Sequence, residues 1–257
     1  MGALHEGHAV LIARGAALAR ERRLPAGCLA TIFVNPTQFD DAADFARYPR
    51  TLTEDLQLAA RAGASAVFAP SVAEVYPPDG SVTAPPLPPV ALRPGLEDAC
   101  RKGHFAGVCQ VVKRLFEMTR PAAAVFGEKD WQQLQVVRAL SAMLVLGVEI
   151  VGVETVREPD GLAISSRNRF LNADERRRAL ALSRALCEAR RGRTPEEAEA
   201  IMRGVLTSAG VEAEYAVVRD AETLEAPGAG PARALIAARV GSVRLIDNAP
   251  WEAARPR

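Results

Sequence analysis

Two of the three histidines in the chain fall in His5-Glu6-Gly7-His8, which makes this segment the first chemical signal. If a helix opens at His8, Gly7 permits close approach of a phosphate-bearing ligand, and the imidazoles and unsatisfied backbone donors face it. The same four residues also read as surface histidines or as half of a metal site. The spacing is not that of the H-E-x-x-H zinc motif, and no cysteine lies close by to complete a zinc set. A second cluster, Phe33-Val34-Asn35-Pro36-Thr37-Gln38-Phe39, follows an apolar run, where open parallel sheets place their ligands. Asn35 and Gln38 carry neutral amides suited to hydroxyl or carboxylate recognition. An Asn-Pro turn would account for Asn35 but leaves Gln38 unexplained.

Gly127-Glu128-Lys129-Asp130-Trp131-Gln132-Gln133 follows another apolar run. Lys129 can neutralise phosphates, Asp130 can engage Mg²⁺ or ribose, and Gln133 stands at a helix entrance. A solvated Glu-Lys-Asp turn is the alternative. In Ile164-Ser165-Ser166-Arg167-Asn168 two hydroxyls precede a guanidinium, a combination suited to a triphosphate. Arg101 and His104 add further positive or hydrogen-bonding groups. Each segment is weak alone. Together they form a phosphate-handling set with no evident thiol or serine triad.

These segments need elements to hold them. Apolar runs at residues 28–34, 66–69, 122–126 and 149–153 read as strands of a parallel sheet covered on both sides. Helical patterns at 8–20, 52–62, 107–119 and 131–144 alternate with them. A hydroxyl at Thr51 or Thr53 is expected to cap the second helix, whose first turn carries Glu54 and Asp55. The implied fold class is α/β, a Rossmann-like doubly wound parallel sheet over residues 1–155. The segment 78–95 holds Pro78, Pro85, Pro86, Pro88, Pro89 and Pro94 and reads as a loop excursion. Residues 156–257 read as a smaller C-terminal α+β domain. Its helices start at Asn172 and Thr194, and strands follow near 214–218, 234–238 and 243–246. Met1 to Leu4 are too few for a central strand of ordinary length, so the sheet is expected to lack its first strand.

Composition sets limits on function. The chain has 257 residues, 49% apolar and 25% charged, with a formal net charge of +1. That balance gives no general reason to expect a nucleic-acid surface. The runs Arg20-Glu21-Arg22-Arg23 and Arg176-Arg177-Arg178 read as solvated faces. Four cysteines without C-x-x-C spacing read as reduced structural thiols of a cytoplasmic protein. The longest apolar stretch, 139–148, is too short to cross a bilayer and reads as buried core.

Taken in order, Met1-Gly-Ala-Leu-His5-Glu-Gly-His8, Phe33 to Phe39, Gly103-His104-Phe105-Ala-Gly107-Val108, Gly127 to Gln133 and Ser165-Ser166-Arg167-Asn168 resemble the pantothenate synthetase (pantoate–β-alanine ligase) family. The closing Arg244-Leu-Ile-Asp247-Asn248 is similar to that family's C-terminal strand. The resemblance implies a homodimer that condenses pantoate with β-alanine through a pantoyl-adenylate, using ATP and Mg²⁺ and releasing pyrophosphate and AMP. It implies that His5, His8, Lys129 and Arg167 are catalytic. Gly7, Gly127, Asp130, Ser165 and Ser166 would bind ATP, with Asp130 also at the metal. Asn35, Gln38 and Gln133 would bind pantoate, and Arg101 and His104 would form a β-alanine-side or supporting pair. It implies neither a nucleic-acid nor a membrane partner. The rival is another nucleotidyltransferase of the same superfamily, such as a tRNA synthetase-like enzyme, which needs a nucleic-acid surface that the balanced charge does not supply. A non-catalytic interaction protein built on the same fold would show no turnover.

Overall fold

The structure is a computed structural model that describes residues 2–38, 45–46 and 48–254. Met1 and Phe39, both in the motifs above, lie outside the described residues. The chain divides into two compact units, Met1–Glu128 with Gln132–Glu154, and Lys129–Trp131 with Thr155–Arg257.

The first unit runs α1 (Glu6–Glu21), β1 (Leu29–Thr31), α2 (Leu52–Arg61), β2 (Ala66–Phe68), α3 (Val72–Val75), α4 (Glu97–Cys100), α5 (His104–Thr119), β3 (Ala123–Gly127), α6 (Trp131–Met143, whose first residue belongs to the second unit) and β4 (Glu149–Val153). Strands β1 and β2 pair in parallel, Leu29 opposite Ala66 and Thr31 opposite Phe68. Strands β3 and β4 form a second parallel pair, Ala123 opposite Glu149 and Gly127 opposite Val153. Parallel partners need a crossover, and α2 and α6 lie within the two crossovers. The expected parallel α/β part is present, its strands in two pairs that no strand joins among the described residues. Helix α1 reaches both. A Cβ on Gly15 would lie 2.9 Å from Cys28 Sγ and 3.8 Å from Val125 Cγ2, so this glycine lets α1 lie close against the strand side.

Several local expectations shift. Helix α1 opens at Glu6, so Gly7 lies inside its first turn. Helix α5 opens at His104 rather than Gly107. Only three residues of the 28–34 run pair as strand, because the chain then turns into a 3-10 helix at Pro36–Gln38. Thr51 stands at the N-cap of α2, yet its hydroxyl donates to Asp55 Oδ1 at 3.0 Å instead of accepting from a helix amide. The stretch 139–148 is only partly core. Leu140, Ser141 and Val148 are buried, but Met143 and Val145 are exposed where α6 ends and the backbone at Val145 turns to φ 50°. The proline-rich excursion packs its far end inward, with Val90 and Ala91 buried.

The second unit holds α7 (Ala173–Glu188), α8 (Pro195–Ser208) and the antiparallel sheet β5 (Glu212–Asp220), β6 (Ala232–Val240) and β7 (Val243–Trp251), in the order β5-β6-β7. Both helix starts follow from capping chemistry. Asn172 Oδ1 accepts from the Asp174 and Glu175 amides at 2.9 Å, and Thr194 Oγ1 accepts from the Glu197 amide at 3.3 Å. Leu182, Met202, Leu206 and Ile236 lie in one core between the helices and one face of the sheet. The run Arg20 to Arg23 is exposed throughout, as expected of a solvated face, whereas Arg176 and Arg178 of the second run are partly buried. Arg22 forks onto Glu149, and Arg176 bridges Glu158 and Asp160. Parallel α/β followed by a smaller α+β unit is thus the architecture present. No helix among the described residues is long and apolar enough to cross a membrane.

Candidate active site

In the first unit the histidine motif sits at the N-terminus of α1. His5 is the N-cap in extended conformation, and its carbonyl accepts the amides of His8 at 2.8 Å and Ala9 at 3.1 Å. Its own amide donates to His8 Nδ1 at 3.2 Å, and the two rings stack with centroids 4.0 Å apart. An Nδ1 that accepts a hydrogen bond carries no proton. His8 is thereby set as the Nε2–H tautomer, a donor suited to a phosphate oxygen. The segment ahead of the pair is anchored by Asp55, a carboxylate only 2% exposed, whose oxygens accept the amides of Ala3 at 3.1 Å and Leu4 at 2.7 Å. Asp55 was legible in sequence only as a first-turn helix acid. No local pattern connects it to a segment 51 residues away.

Gln38 closes the 3-10 turn after β1, and this turn is heavily braced. Asn35 is 3% exposed. Its Nδ2 donates to Gly107 O at 3.2 Å and Gln38 Oε1 at 3.4 Å. Its Oδ1 accepts from the Thr37 amide at 3.3 Å, Thr37 Oγ1 at 3.1 Å and the Tyr76 hydroxyl at 2.8 Å. His104 Nδ1 lies 2.9 Å from Gln38 O, Arg101 Nη2 donates to the same carbonyl at 3.3 Å, and Arg101 Nη1 lies 3.2 Å from His104 Nε2. Asn35, Gln38, Arg101 and His104 therefore come together, with the amide of Asn35 directed onto protein groups. The turn also lies directly on α5. A Cβ on Gly107 would fall 2.3 Å from Thr37 O and 2.7 Å from Gln38 N, so only glycine fits there without displacing the backbone. Gln133 is half-buried in the first turn of α6. The adjacent Gln132 is a packing residue. It is 3% exposed, accepts the Glu97 amide and donates to Val90 O and Asp98 Oδ1. At Gly127, the end of β3, a Cβ would meet only Leu11 at 3.8 Å, an ordinary contact; protein packing there does not demand glycine.

The second unit carries Lys129, Asp130, Ser165, Ser166 and Arg167. Lys129 Nζ lies 3.9 Å from Asp130 Oδ1, with the side chains 22% and 50% exposed. Strand β7 supports this turn. Asn248 Nδ2 donates to Lys129 O at 2.9 Å, and Arg233 Nε donates to Asn248 Oδ1 at 2.6 Å while its guanidinium lies 3.4 Å over the Trp131 ring. The Trp131 indole donates to Ala221 O at 2.8 Å, which fixes the other side of the turn. Asn248 is an anchor that the sequence offered only as part of a closing strand. Ser165 caps a 3-10 helix over Ser166–Phe170, accepting the Arg167 amide at 3.3 Å, and β7 also contacts that helix. Asn168 braces the same turn by donating to Glu158 Oε1 at 3.2 Å and Ala163 O at 3.0 Å.

What each unit can do chemically is now definable. The first presents ring and backbone donors at a helix N-terminus and, on another element, a fixed amide turn. The second presents a lysine, two hydroxyls and an arginine on turns held by β7. Among the described residues no group of three or more His, Cys, Asp or Glu could hold a metal by itself. Asp130 offers one half-exposed carboxylate beside Lys129, which fits an ion carried mainly by a bound polyphosphate and water.

The chain is similar to known proteins of one family. A pantothenate synthetase from a Nocardioides species is 50% identical over 266 residues, covering 97% of this chain and 76% of its own length. The crystal structure of pantothenate synthetase from Thermus thermophilus superposes with a TM-score of 0.87 at 41% identity, covering 97% of this chain and 90% of that one. Pantoate-β-alanine ligase from Francisella tularensis, solved in complex with beta-gamma ATP and β-alanine, superposes with a TM-score of 0.74 at 31% identity, covering 97% and 87%. Residues 1–250 match the family model described as pantoate-beta-alanine ligase, and the chain belongs to that family.

Proposed function

We propose that the chain condenses pantoate with β-alanine through a pantoyl-adenylate, the parallel α/β part (residues 1–155) serving ATP and pantoate. In the first step a carboxylate oxygen of pantoate attacks the α-phosphorus of ATP, and the bond to the β-phosphate breaks to release pyrophosphate. In the second, the β-alanine amine attacks the activated acyl carbon, and AMP leaves with the bridging oxygen. The observation that carries this reading is the stacked His5–His8 pair at the α1 N-terminus, with the His8 tautomer set by the His5 amide.

A carboxylate is already an adequate nucleophile, so the protein's work is alignment and neutralisation of developing phosphate charge. Alignment can supply roughly 7–11 kcal/mol, and each well-placed donor to a developing oxyanion about 3–4 kcal/mol. His5, His8 and the first amides of α1 donate to phosphate oxygens. Lys129, Ser165, Ser166 and Arg167 neutralise phosphate charge as it moves onto pyrophosphate. Gly7 and Gly127 leave room for the nucleotide. Gln38 and Gln133 hold pantoate by its hydroxyl and carboxylate oxygens. The bonds of Asn35, Arg101 and His104 support a role in holding the Gln38 turn, with Arg101 and His104 on the β-alanine side. Mg²⁺, when bound at Asp130, lowers the charge repulsion of the polyphosphate. Family resemblance supports a homodimer. The free thiols of Cys28, Cys109 and Cys187 support a reducing, cytoplasmic setting.

Pantoate labelled with ¹⁸O in its carboxylate tests the chemistry. The reading expects one labelled oxygen in the phosphate of AMP after turnover. Unlabelled AMP would reject attack by that carboxylate on the α-phosphorus.

A further inference from the structure

Tyr76 lies just beyond the four-residue helix α3, a segment outside every motif that pointed to function. The element is well tied down. Ser71 and Glu74 cap it reciprocally at 3.3 and 2.6 Å, and Arg114 of α5 donates to the carbonyls of Glu74 and Val75, both at 3.2 Å. From this platform the Tyr76 ring packs near Phe33, with centroids 6.3 Å apart, and its hydroxyl donates to Asn35 Oδ1 at 2.8 Å. With the Thr37 amide donating to Oδ1 and Gly107 O accepting from Nδ2, a flipped Asn35 amide would set NH₂ against N–H and oxygen against oxygen, and the Tyr76 hydroxyl adds a further donor on the Oδ1 side. Its Nδ2 is thereby aimed at Gly107 O and Gln38 Oε1. Burial pushes the Tyr76 phenol above its ordinary value, so it stays a protonated donor through neutral pH.

We propose that Tyr76 is a positioning residue for pantoate: its hydroxyl braces the Asn35 amide in place, and Asn35 sets the Gln38 amide with its oxygen inward and Nε2 toward the substrate. This rests on the reading of Gln38 as a pantoate ligand. A chain of contacts, Arg114 to α3 to Tyr76 to Asn35 to Gln38, links α5 to substrate recognition by a route separate from the Gly107 contact. The ligand end is a hydrogen-bond donor, which matches hydroxyl or carboxylate oxygens of the acid rather than an ammonium.

The test uses the full chain with Mg·ATP, pantoate and β-alanine, measuring initial rates with each substrate varied, alongside thermal melts. Tyr76→Phe keeps the ring and removes the hydroxyl's bond to Asn35 Oδ1 together with its contact to Thr37 Oγ1. It is expected to raise the pantoate KM about 2- to 10-fold, leaving the KM for ATP and the melting temperature near the parent's. Arg114→Gln should raise the pantoate KM alone in the parent and add little in the Tyr76→Phe background, as expected for two links of one chain. Gln38→Ala separates the two levels of the claim. If it leaves pantoate KM unchanged, Gln38 is not a pantoate ligand and both readings fall. If it raises pantoate KM while Tyr76→Phe does not, or if Tyr76→Phe raises both KM values together, the positioning role is overturned. Should Tyr76→Phe fail to fold, Arg114→Gln decides: a pantoate-specific rise supports the proposal, and an unchanged KM overturns it.

Discussion

Replacing Gly107 with alanine places a methyl group where the Gln38 turn already lies. The new Cβ would stand 2.3 Å from Thr37 O, 2.5 Å from Thr37 C and 2.7 Å from Gln38 N, all backbone atoms with no flexible end to swing away. To restore ordinary contact near 3.4 Å, helix and turn must part by about 1 Å. For stability, two effects oppose each other. Alanine gains about 1 kcal/mol of helix propensity over glycine, while overpacking costs about 1–3 kcal/mol. The net is a loss of about 0–2 kcal/mol, or at most about 8 °C in melting temperature for a chain of this size. Function should suffer more, because a displacement of about 1 Å in a positioning element costs about 100-fold in rate. The expectation is a folded protein with pantoate kcat/KM down by about two orders of magnitude and the KM for ATP little changed. Gly204→Ala in α8 is the control: nothing lies within 4 Å of the added Cβ, so stability should rise slightly with activity intact. Wild-type pantoate kcat/KM in Gly107→Ala, or an equal loss in Gly204→Ala, would refute the reasoning.

Asp55→Asn weakens charge-assisted bonds to the Ala3 and Leu4 amides, each worth about 1.5–3 kcal/mol. Melting temperature should fall and the KM for ATP rise, read by thermal denaturation and ATP titration. Asn248→Ala releases Lys129 O and leaves Arg233 Nε without its acceptor, a loss of about 1–3 kcal/mol. Initial rates should give a lower kcat at unchanged pantoate KM. Burial pushes the Cys109 thiol up to about 12 from 9.0. A thiol whose pKa is raised by folding contributes stability that is intact below pH 9.0 and is lost as pH climbs toward about 12, so Cys109→Ala should flatten that alkaline decline in pH-dependent melts. In thiol labelling at neutral pH, exposed Cys187 should react at once and Cys109 only on unfolding.

Patterns that repeat locally were readable in the sequence. The apolar run at 149–153 became β4 residue for residue, and the cap chemistry of Asn172 and Thr194 placed the starts of α7 and α8. Hydrophobic period and capping depend on near neighbours, which sequence displays directly. The polar clusters around His5, Gln38, Lys129 and Ser165 were visible as residue types. Their supports were not. Asp55, Tyr76, Gly107 and Asn248 act across 41 to 119 residues of chain, through single hydrogen bonds or one close contact that leaves no periodic trace. Gly107 gave one usable hint, since glycine inside a helix costs about 1 kcal/mol and is kept where backbone must approach closely. β1 ends at Thr31 although Ile32, Phe33 and Val34 continue the apolar run, because the chain leaves the strand there for the 3-10 turn at Pro36–Gln38, so an apolar run alone overstated the strand.

The central claim is that pantoate is activated before β-alanine takes part. Rapid-quench mixing of the protein with Mg·ATP and pantoate, in the absence of β-alanine, measures it directly. The account predicts about one equivalent of pyrophosphate per active site, with a matching amount of acid-labile pantoyl-adenylate that β-alanine then converts to pantothenate and AMP. Pyrophosphate that forms only once β-alanine is added, from a folded protein that binds ATP, would contradict it.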